Sequence, residues 1–274
     1  MEWTPAPTPI NENRRAQAVA KTGIIDTDQV KLFDIYCEIA KDLTGYEGAV
    51  FSLFDAKEQC VISEIGTGST EMHRKGDKAE SICSYVLLET SPLLVFDLAA
   101  HDTFKNHPNV KAGLCKSYTG FPVLNKENYA LGTFCLLNFS EIKEISSEKI
   151  LLIEKLISRA AHQIDTQTEQ KELTSQKISN SIDVFSENNT DASLSDFKHF
   201  IDLCSGLPLS DKAASELLRN DLCVRDNGSL ILSSKGNDLQ EKMGLQTKIL
   251  NKIKIEGDAA NKMVDSMLDK LGAL

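Results

Sequence analysis

Residues 118–137 read YTGFPVLNKENYALGTFCLL, and this stretch decides the fold of the first half of the chain. Tyr118–Leu124 and Leu131–Leu137 are two apolar runs, and Asn125–Asn128 between them is a polar turn, so the pattern predicts a β-hairpin. Upstream, Pro92 starts a short buried strand, Leu93–Phe96, and a long irregular crossing, Asp97–Ala112, leads from it toward the hairpin. Before that, Ser81–Leu88 reads as helical, with Ile82, Cys83, Val86 and Leu87 on one side. A second hairpin precedes it: Gly48–Phe54, the turn Asp55-Ala56-Lys57-Glu58, and Cys60–Ile65, followed by a polar loop from Gly66 to Lys78.

Helices flank this set. Asp28–Leu43 places Val30, Phe33, Ile35, Tyr36, Ile39, Ala40 and Leu43 at helical spacing, and Gly45 ends it. From Ser147 another helix runs through Ile150, Leu151, Ile153, Leu156, Ile157, Ala160, Ala161 and Ile164. Consecutive antiparallel strands need an apolar cover, and these two helices have the stripes to provide it. The expected fold is α+β, with an antiparallel sheet and its helices on one face. The other face and the 97–112 crossing are then free to enclose a cavity.

Composition narrows the function classes. The 274 residues are 41% hydrophobic and 26% charged, with a net charge of −10. Residues 1–165 hold 17 basic and 23 acidic side chains, and 166–274 hold 13 and 17. Neither part has the basic balance of a non-specific nucleic-acid binder. No stretch approaches 18 apolar residues, and Met1–Gln17 lacks the apolar block of a secretory signal, so a cytoplasmic protein with no membrane partner is expected. The seven cysteines are odd in number and form no CxxC, which argues against a disulfide framework and for small buried apolar side chains. Fourteen of the seventeen aromatic residues lie at or before Phe139. With the polar stretch Thr166–Ser193, this predicts a domain over 10–165, a helix extension and linker over 166–193, and a small unit over 194–274.

In order and spacing, several pieces of the first domain resemble a GAF domain, the ligand-sensing module related to PAS domains. They are Thr22–Thr27 (TGIIDT) ahead of Phe33-Asp34, Ala49–Asp55 (AVFSLFD), Ser81-Ile82-Cys83, and Pro92–Asp97 (PLLVFD) running into Asp102-Thr103-Phe104 and Asn106–Val110 (NHPNV). Tyr118–Val123 (YTGFPV) and Leu131–Asn138 (LGTFCLLN) complete them. The resemblance covers nearly all of 14–165 and is to the modules found at the N-terminus of bacterial sensor kinases and diguanylate cyclases. No kinase, cyclase or phosphodiesterase motif follows. The resemblance implies a central antiparallel sheet of five or six strands, terminal helices packed on one face, a small-molecule ligand or no known ligand on the other, and homodimers through the terminal helices.

The candidate pocket residues are Cys83, Phe96, Asp97, Asp102, Phe104, Tyr118 and Phe121. Asp97 and Asp102 suit a ligand amine or hydroxyl, or else cap turns of the crossing. Tyr118 and Phe121 are three apart in a strand and so face opposite sides. Either one of them, with Phe96 or Phe104, stacks on a planar ligand, or both belong to the core; periodicity does not decide between these. His73, His101 and His107 with Cys83 or Cys115 lack the short ligand pair that anchors zinc, so they read as structural or exposed. Cys115 lies where some GAF relatives attach a linear tetrapyrrole, but Lys116 follows it where those have histidine. A matched cysteine pair of the GAF-type sulfoxide reductases is not legible, and the cyclic-nucleotide signature is absent. No catalytic residue, metal or cofactor is assigned.

In the C-terminal unit, Ser195–Leu203 and Asp211–Arg219 read as helices. Leu222-Cys223-Val224-Arg225, the turn Asp226-Asn227-Gly228, the strand Ser229–Leu232 and Ser233-Ser234-Lys235-Gly236 then lead to a helix through Leu239 and Met243. This order resembles the end of a winged-helix domain. With 11 basic and 12 acidic residues in 194–274, protein contact suits the unit better than DNA. A last amphipathic helix is expected over Asp258–Leu271. The leading expectation is a non-enzymatic GAF sensory or regulatory protein that binds a small molecule and signals through the 147–178 helix by protein contact. The alternatives are a ligand-responsive transcription regulator, a non-binding dimerisation scaffold, and a thiol-based redox enzyme, which requires two cysteine sulfurs within disulfide reach at the pocket.

Overall fold

Alternating side chains build the sheet as the 118–137 pattern requires, in a computed structural model that describes residues 2–25, 32–68, 75–189 and 193–245. The chain divides into two units, Met1–Leu173 and Thr174–Leu274. In the first, helices α1 (Glu12–Thr22) and α2 (Asp34–Thr44) precede strands β1 (Gly48–Phe54), β2 (Glu58–Ile65) and β3 (Lys75–Asp77). A 3-10 helix, Ile82–Leu88, leads to β4 (Leu93–Val95), the short helix α3 (Pro108–Lys111), β5 (Ser117–Leu124), β6 (Ala130–Asn138) and the long helix α4 (Ser147–Asn188). The strands form one antiparallel six-stranded sheet in the order β3-β2-β1-β6-β5-β4. Leu93 pairs with Gly120, which puts β4 beside β5 in the same sheet. Gly132 in β6 allows the closest strand approach: a Cβ there would lie 1.9 Å from the Ser52 carbonyl oxygen.

Successive residues of each strand serve opposite faces. Ala49, Phe51 and Leu53 of β1, Phe121 and Val123 of β5, and Phe134 and Leu136 of β6 join one core. Val19 of α1, Phe33, Cys37 and Ala40 at α2, and Ile153, Ile157, Ala160, Ala161 and Ile164 of α4 cover it. Val50, Phe54, Tyr118 and Cys135 turn the other way, into a second core roofed by the 3-10 helix and the crossing through Val95, Leu98, Phe104 and Val110. The expected one-sided helical cover is present.

Several expectations need correcting. The α2 stripe that is buried is Phe33, Cys37, Ala40 and Thr44, whereas Ile35 and Ile39 are exposed. The strand at Leu93 is an edge strand and not a buried one: Val95 alone is buried and Leu94 is 39% exposed. Helix α1 and strand β3 were not expected. The expected helix extension is present, α4 being continuous through Thr166–Asn188, and the division between units falls within that helix.

In the second unit, α5 (Leu194–Cys204) starts with a capping box in which Ser193 and Asp196 bond reciprocally. Next come α6 (Ser215–Arg219), the hairpin of β7 (Cys223–Asp226) and β8 (Ser229–Leu232), and α7 (Ser234–Lys242). Asn227 and Gly228 both have positive φ, as a two-residue hairpin turn of this hand needs. The expected helix over Asp211–Arg219 is shorter than read, its first residues being turns. Phe185, Phe200, Leu217, Leu222 and Leu239 form the core. The expected helix over Asp258–Leu271 lies outside the described residues, as does His73.

Candidate functional site

The face of the sheet opposite α1, α2 and α4 contains a cavity of about 630 Å³. Val50, Val61, Tyr118, Cys135 and Leu137 form its floor from four strands, and Ile82, Cys83, Cys115 and Leu114 wall it from the roof. Gln59, Lys75, Asp77, Glu80, His107 and Asn109 bring polar and charged groups around this apolar lining. Such a mixture suits a compact ligand with an apolar body and a few polar substituents. A larger groove of about 940 Å³ lies between residues 6–20 and the β1–β2 turn, but no buried unpaired polar atom lines it.

The candidate residues divide between locations. Cys83 and Tyr118 line the cavity. Phe104 is buried in the same core, against Tyr85 at a centroid distance of 5.1 Å, and fills the roof. Phe96 and Phe121 pack in the helix-covered core and do not reach the cavity. Asp97 caps its turn: its Oδ1 accepts the Ala99 and Ala100 N–H groups at 3.0 and 3.1 Å. Asp102 is exposed and pairs with Lys105 at 2.6 Å, which holds its carboxyl below the usual range. The predicted opposite facing of Tyr118 and Phe121 is therefore observed, and Tyr118 is the one on the cavity side.

The histidines have structural partners. His107 accepts the Asn109 N–H through Nδ1 at 3.2 Å, capping α3, and its Nε2 lies 2.9 Å from the Glu80 carbonyl oxygen. His101 Nδ1 accepts the Thr103 N–H at 3.2 Å. Cys115 is buried, and desolvation pushes its thiol up to about 12, far from thiolate at neutral pH.

The residue that sequence reasoning missed as a partner is Cys135. Its sulfur lies 3.7 Å from that of Cys83, both residues are buried, and both are free thiols. A hydrogen bond from Cys135, helped by Tyr118, Ser81 and Thr133, outweighs burial and holds the Cys83 thiol below its ordinary range. The same hydrogen bond, together with burial, pushes Cys135 well up, since a second thiolate would face the first in a desolvated site. The Tyr118 and Thr133 hydroxyls are buried and make no protein hydrogen bond of normal geometry, although both stand near the Cys83 sulfur. Strand alternation already placed Cys135 on this face. The apolar side of Ser81–Leu88 already included Cys83, but no local signal brought its sulfur and that of Cys135 together.

A GAF domain model matches residues 28–164, half of the chain. The chain belongs to the GAF-domain family. Its first unit is also similar to solved GAF domains at low identity. The blue-light absorbing form of the PixJ GAF domain from Thermosynechococcus elongatus is 12% identical, with a TM-score of 0.44, covering 62% of this chain and 96% of that one. The GAF domain of an Acinetobacter phosphoenolpyruvate-protein phosphotransferase is 13% identical with a TM-score of 0.44, covering 59% and 96%. The GAF-B domain of DevS from Mycobacterium smegmatis is 15% identical with a TM-score of 0.43, covering 53% and 99%. A search of curated proteins gives no match. Among the described residues, no helix is long and apolar enough to cross a membrane.

Proposed function

We propose that this GAF protein is a sensor. It binds a small molecule in the cavity of its first unit and passes the change through α4 to its second unit and to a protein partner, by contact and without catalysis. The observation that carries this reading is the 630 Å³ cavity, with the buried, unpaired Tyr118 hydroxyl on its floor. A buried hydroxyl without a partner costs about 1–3 kcal/mol, which a ligand polar atom at that position would recover. Helix α4 supports the route out, because its Ile153–Ile164 stripe lies in the sheet core and its Phe185 lies in the core of the second unit.

The DNA-binding alternative gains little from the second unit. Arg225 pairs with Asp211 at 2.6 Å and Arg219 with Glu216 at 2.5 Å, while Lys198 reaches Asp202 at 3.3 Å. Cations committed to carboxylates make a poor phosphate-binding surface. Homodimerisation through the exposed positions of the terminal helices, such as Leu151 and Leu152 of α4, belongs to the same proposal.

The reading is tested by thermal-shift screening of the full chain against compact heterocyclic and phenolic compounds, with Val61→Trp as a variant that fills the cavity. Ligands are expected to raise the melting temperature by about 2 °C or more through mass action, and Val61→Trp is expected to abolish the shift. Absence of any shift, together with no bound species in native mass spectra of protein from its own host, would refute it.

A further inference from the structure

We propose that Cys83 and Cys135 form a redox-active dithiol, which a hydroperoxide entering the cavity converts to an intramolecular disulfide. The geometry is the primary argument. Two free sulfurs lie 3.7 Å apart on the wall and floor of one cavity, contributed by residues 52 positions apart in sequence. A disulfide requires about 2.05 Å between sulfurs, so the pair must close by little more than an atomic radius. That movement falls to the Cys83 side. Strand β6 is held between β1 and β5, whereas the 3-10 helix rests on the sheet by side chains.

The surroundings separate this pair from the other thiols. Cys37 is buried in the helix-covered core and desolvation pushes it up to about 12, as it does Cys115. At Cys83, by contrast, a neighbouring sulfur, with hydroxyls from Tyr118 and Thr133 close by, offsets the cost of a buried thiolate.

The chemistry balances with a hydroperoxide as the sole oxidant. The Cys83 thiolate attacks the terminal peroxide oxygen, forming S–O and breaking O–O. The leaving alkoxide, or hydroxide from hydrogen peroxide, takes up the proton that Cys83 released. The Cys135 sulfur then attacks the Cys83 sulfenic acid, forming S–S and breaking S–O, and the departing hydroxide leaves as water with the Cys135 proton. Two thiols lose two electrons, and the peroxide gains them as water and an alcohol, or as two waters.

This inference deepens the sensor reading by naming a regulation of the same cavity, and rests on that reading only for access from solvent. The full chain, reduced and desalted, is treated with stoichiometric hydrogen peroxide, alkylated with N-ethylmaleimide and mapped by mass spectrometry. Two of the seven thiols should become unreactive, within one linked pair of peptides carrying Cys83 and Cys135, and dithiothreitol should restore both. Cys115→Ser should leave the link intact. Cys135→Ser should replace it with a Cys83 sulfenic acid trapped by dimedone. In the reduced protein, N-ethylmaleimide should modify Cys83 about tenfold faster or more than Cys37. If either variant misfolds, the wild-type map alone decides. Peroxide treatment that leaves Cys83 and Cys135 alkylatable, or links a different pair, overturns the inference. Thermal shifts on the same reduced sample keep the two readings apart: binding without the link refutes the dithiol alone, and the link without binding refutes the ligand alone.

Discussion

The two faces of the sheet are made from the same strands and serve opposite ends. Under the helices, Phe33, Phe51 and Phe134 stack edge-to-face at 5.3 and 5.8 Å, and aliphatic side chains of α4 close over them. On the other face, alternate residues of the same strands supply Ser52, Tyr118, Thr133 and Cys135, and the roof leaves a cavity. One face concentrates stability by excluding everything. The other gives up packing and hydrogen bonds for a space that chemistry can enter. A six-stranded sheet can support both because its side-chain period is two, so neither face constrains the residue types of the other.

The comparison is broken most directly by truncating one side. Phe134→Ala should cost about 3–5 kcal/mol in chemical denaturation, the range for removing a large aromatic from a closed core. A loss below about 1 kcal/mol would show that the helix-covered face is loosely packed. A smaller effect is expected where α1 is anchored. Arg15, fully buried, gives hydrogen bonds to the Phe54 and Asp55 carbonyl oxygens at 2.7 Å and bonds Glu12 through Nε at 2.8 Å. Burial pulls the Glu12 carboxyl upward, but Arg15 and Lys78 outweigh it and hold its pKa low. Its contribution is therefore present above the unfolded carboxylate pKa and is lost as pH falls through the lower folded value. Glu12→Gln should cost about 1 kcal/mol at pH 7, with the difference from wild type fading below about pH 4. A difference that persists undiminished at pH 2 would exclude this ionisation as the cause. The smallest effect, and one of opposite sign, belongs to the cavity floor: Tyr118→Phe should raise the stability of the unliganded protein by about 1 kcal/mol, because it removes a buried hydroxyl that has no protein hydrogen bond to lose. A loss above about 2 kcal/mol would mean that the hydroxyl is bonded in solution and the two faces are less different than described.

Much of this fold was legible because alternation and turn chemistry are local. The hairpins at 48–65 and 118–137 follow from short-range pattern, and Gly45, with φ of 68°, ends α2 where its sequence position predicts. What escaped lacks a local signal. Helix α1 has few apolar residues, and its most buried side chain is an arginine, satisfied by carbonyl groups from strands distant in sequence. Strand β3, Lys75-Gly76-Asp77, has no strand composition at all and exists because β2 offers it a ladder. Helix α4 continues through the polar stretch read as a helix extension and linker, and its far end gains Ser181 and Phe185 as buried anchors, which the sequence did not single out. Of the site, the face was predictable and the membership was not. The opposite facing of Tyr118 and Phe121 and the capping alternative for Asp97 were legible, whereas which of the two aromatics meets the cavity, and that Phe96 packs in the helix-covered core, were not. The thiol pair required knowledge of how the 3-10 helix lies on β6.

The outermost strands, β3 and β4, have three residues each, and past β4 the neighbouring β5 carries Pro122, which has no amide hydrogen. A foreign strand would find few free donors along this rim, so the β4 border resists the runaway stacking that longer unprotected borders invite. Companions recruited at this border must therefore be held by side chains, since its backbone offers them little to pair with.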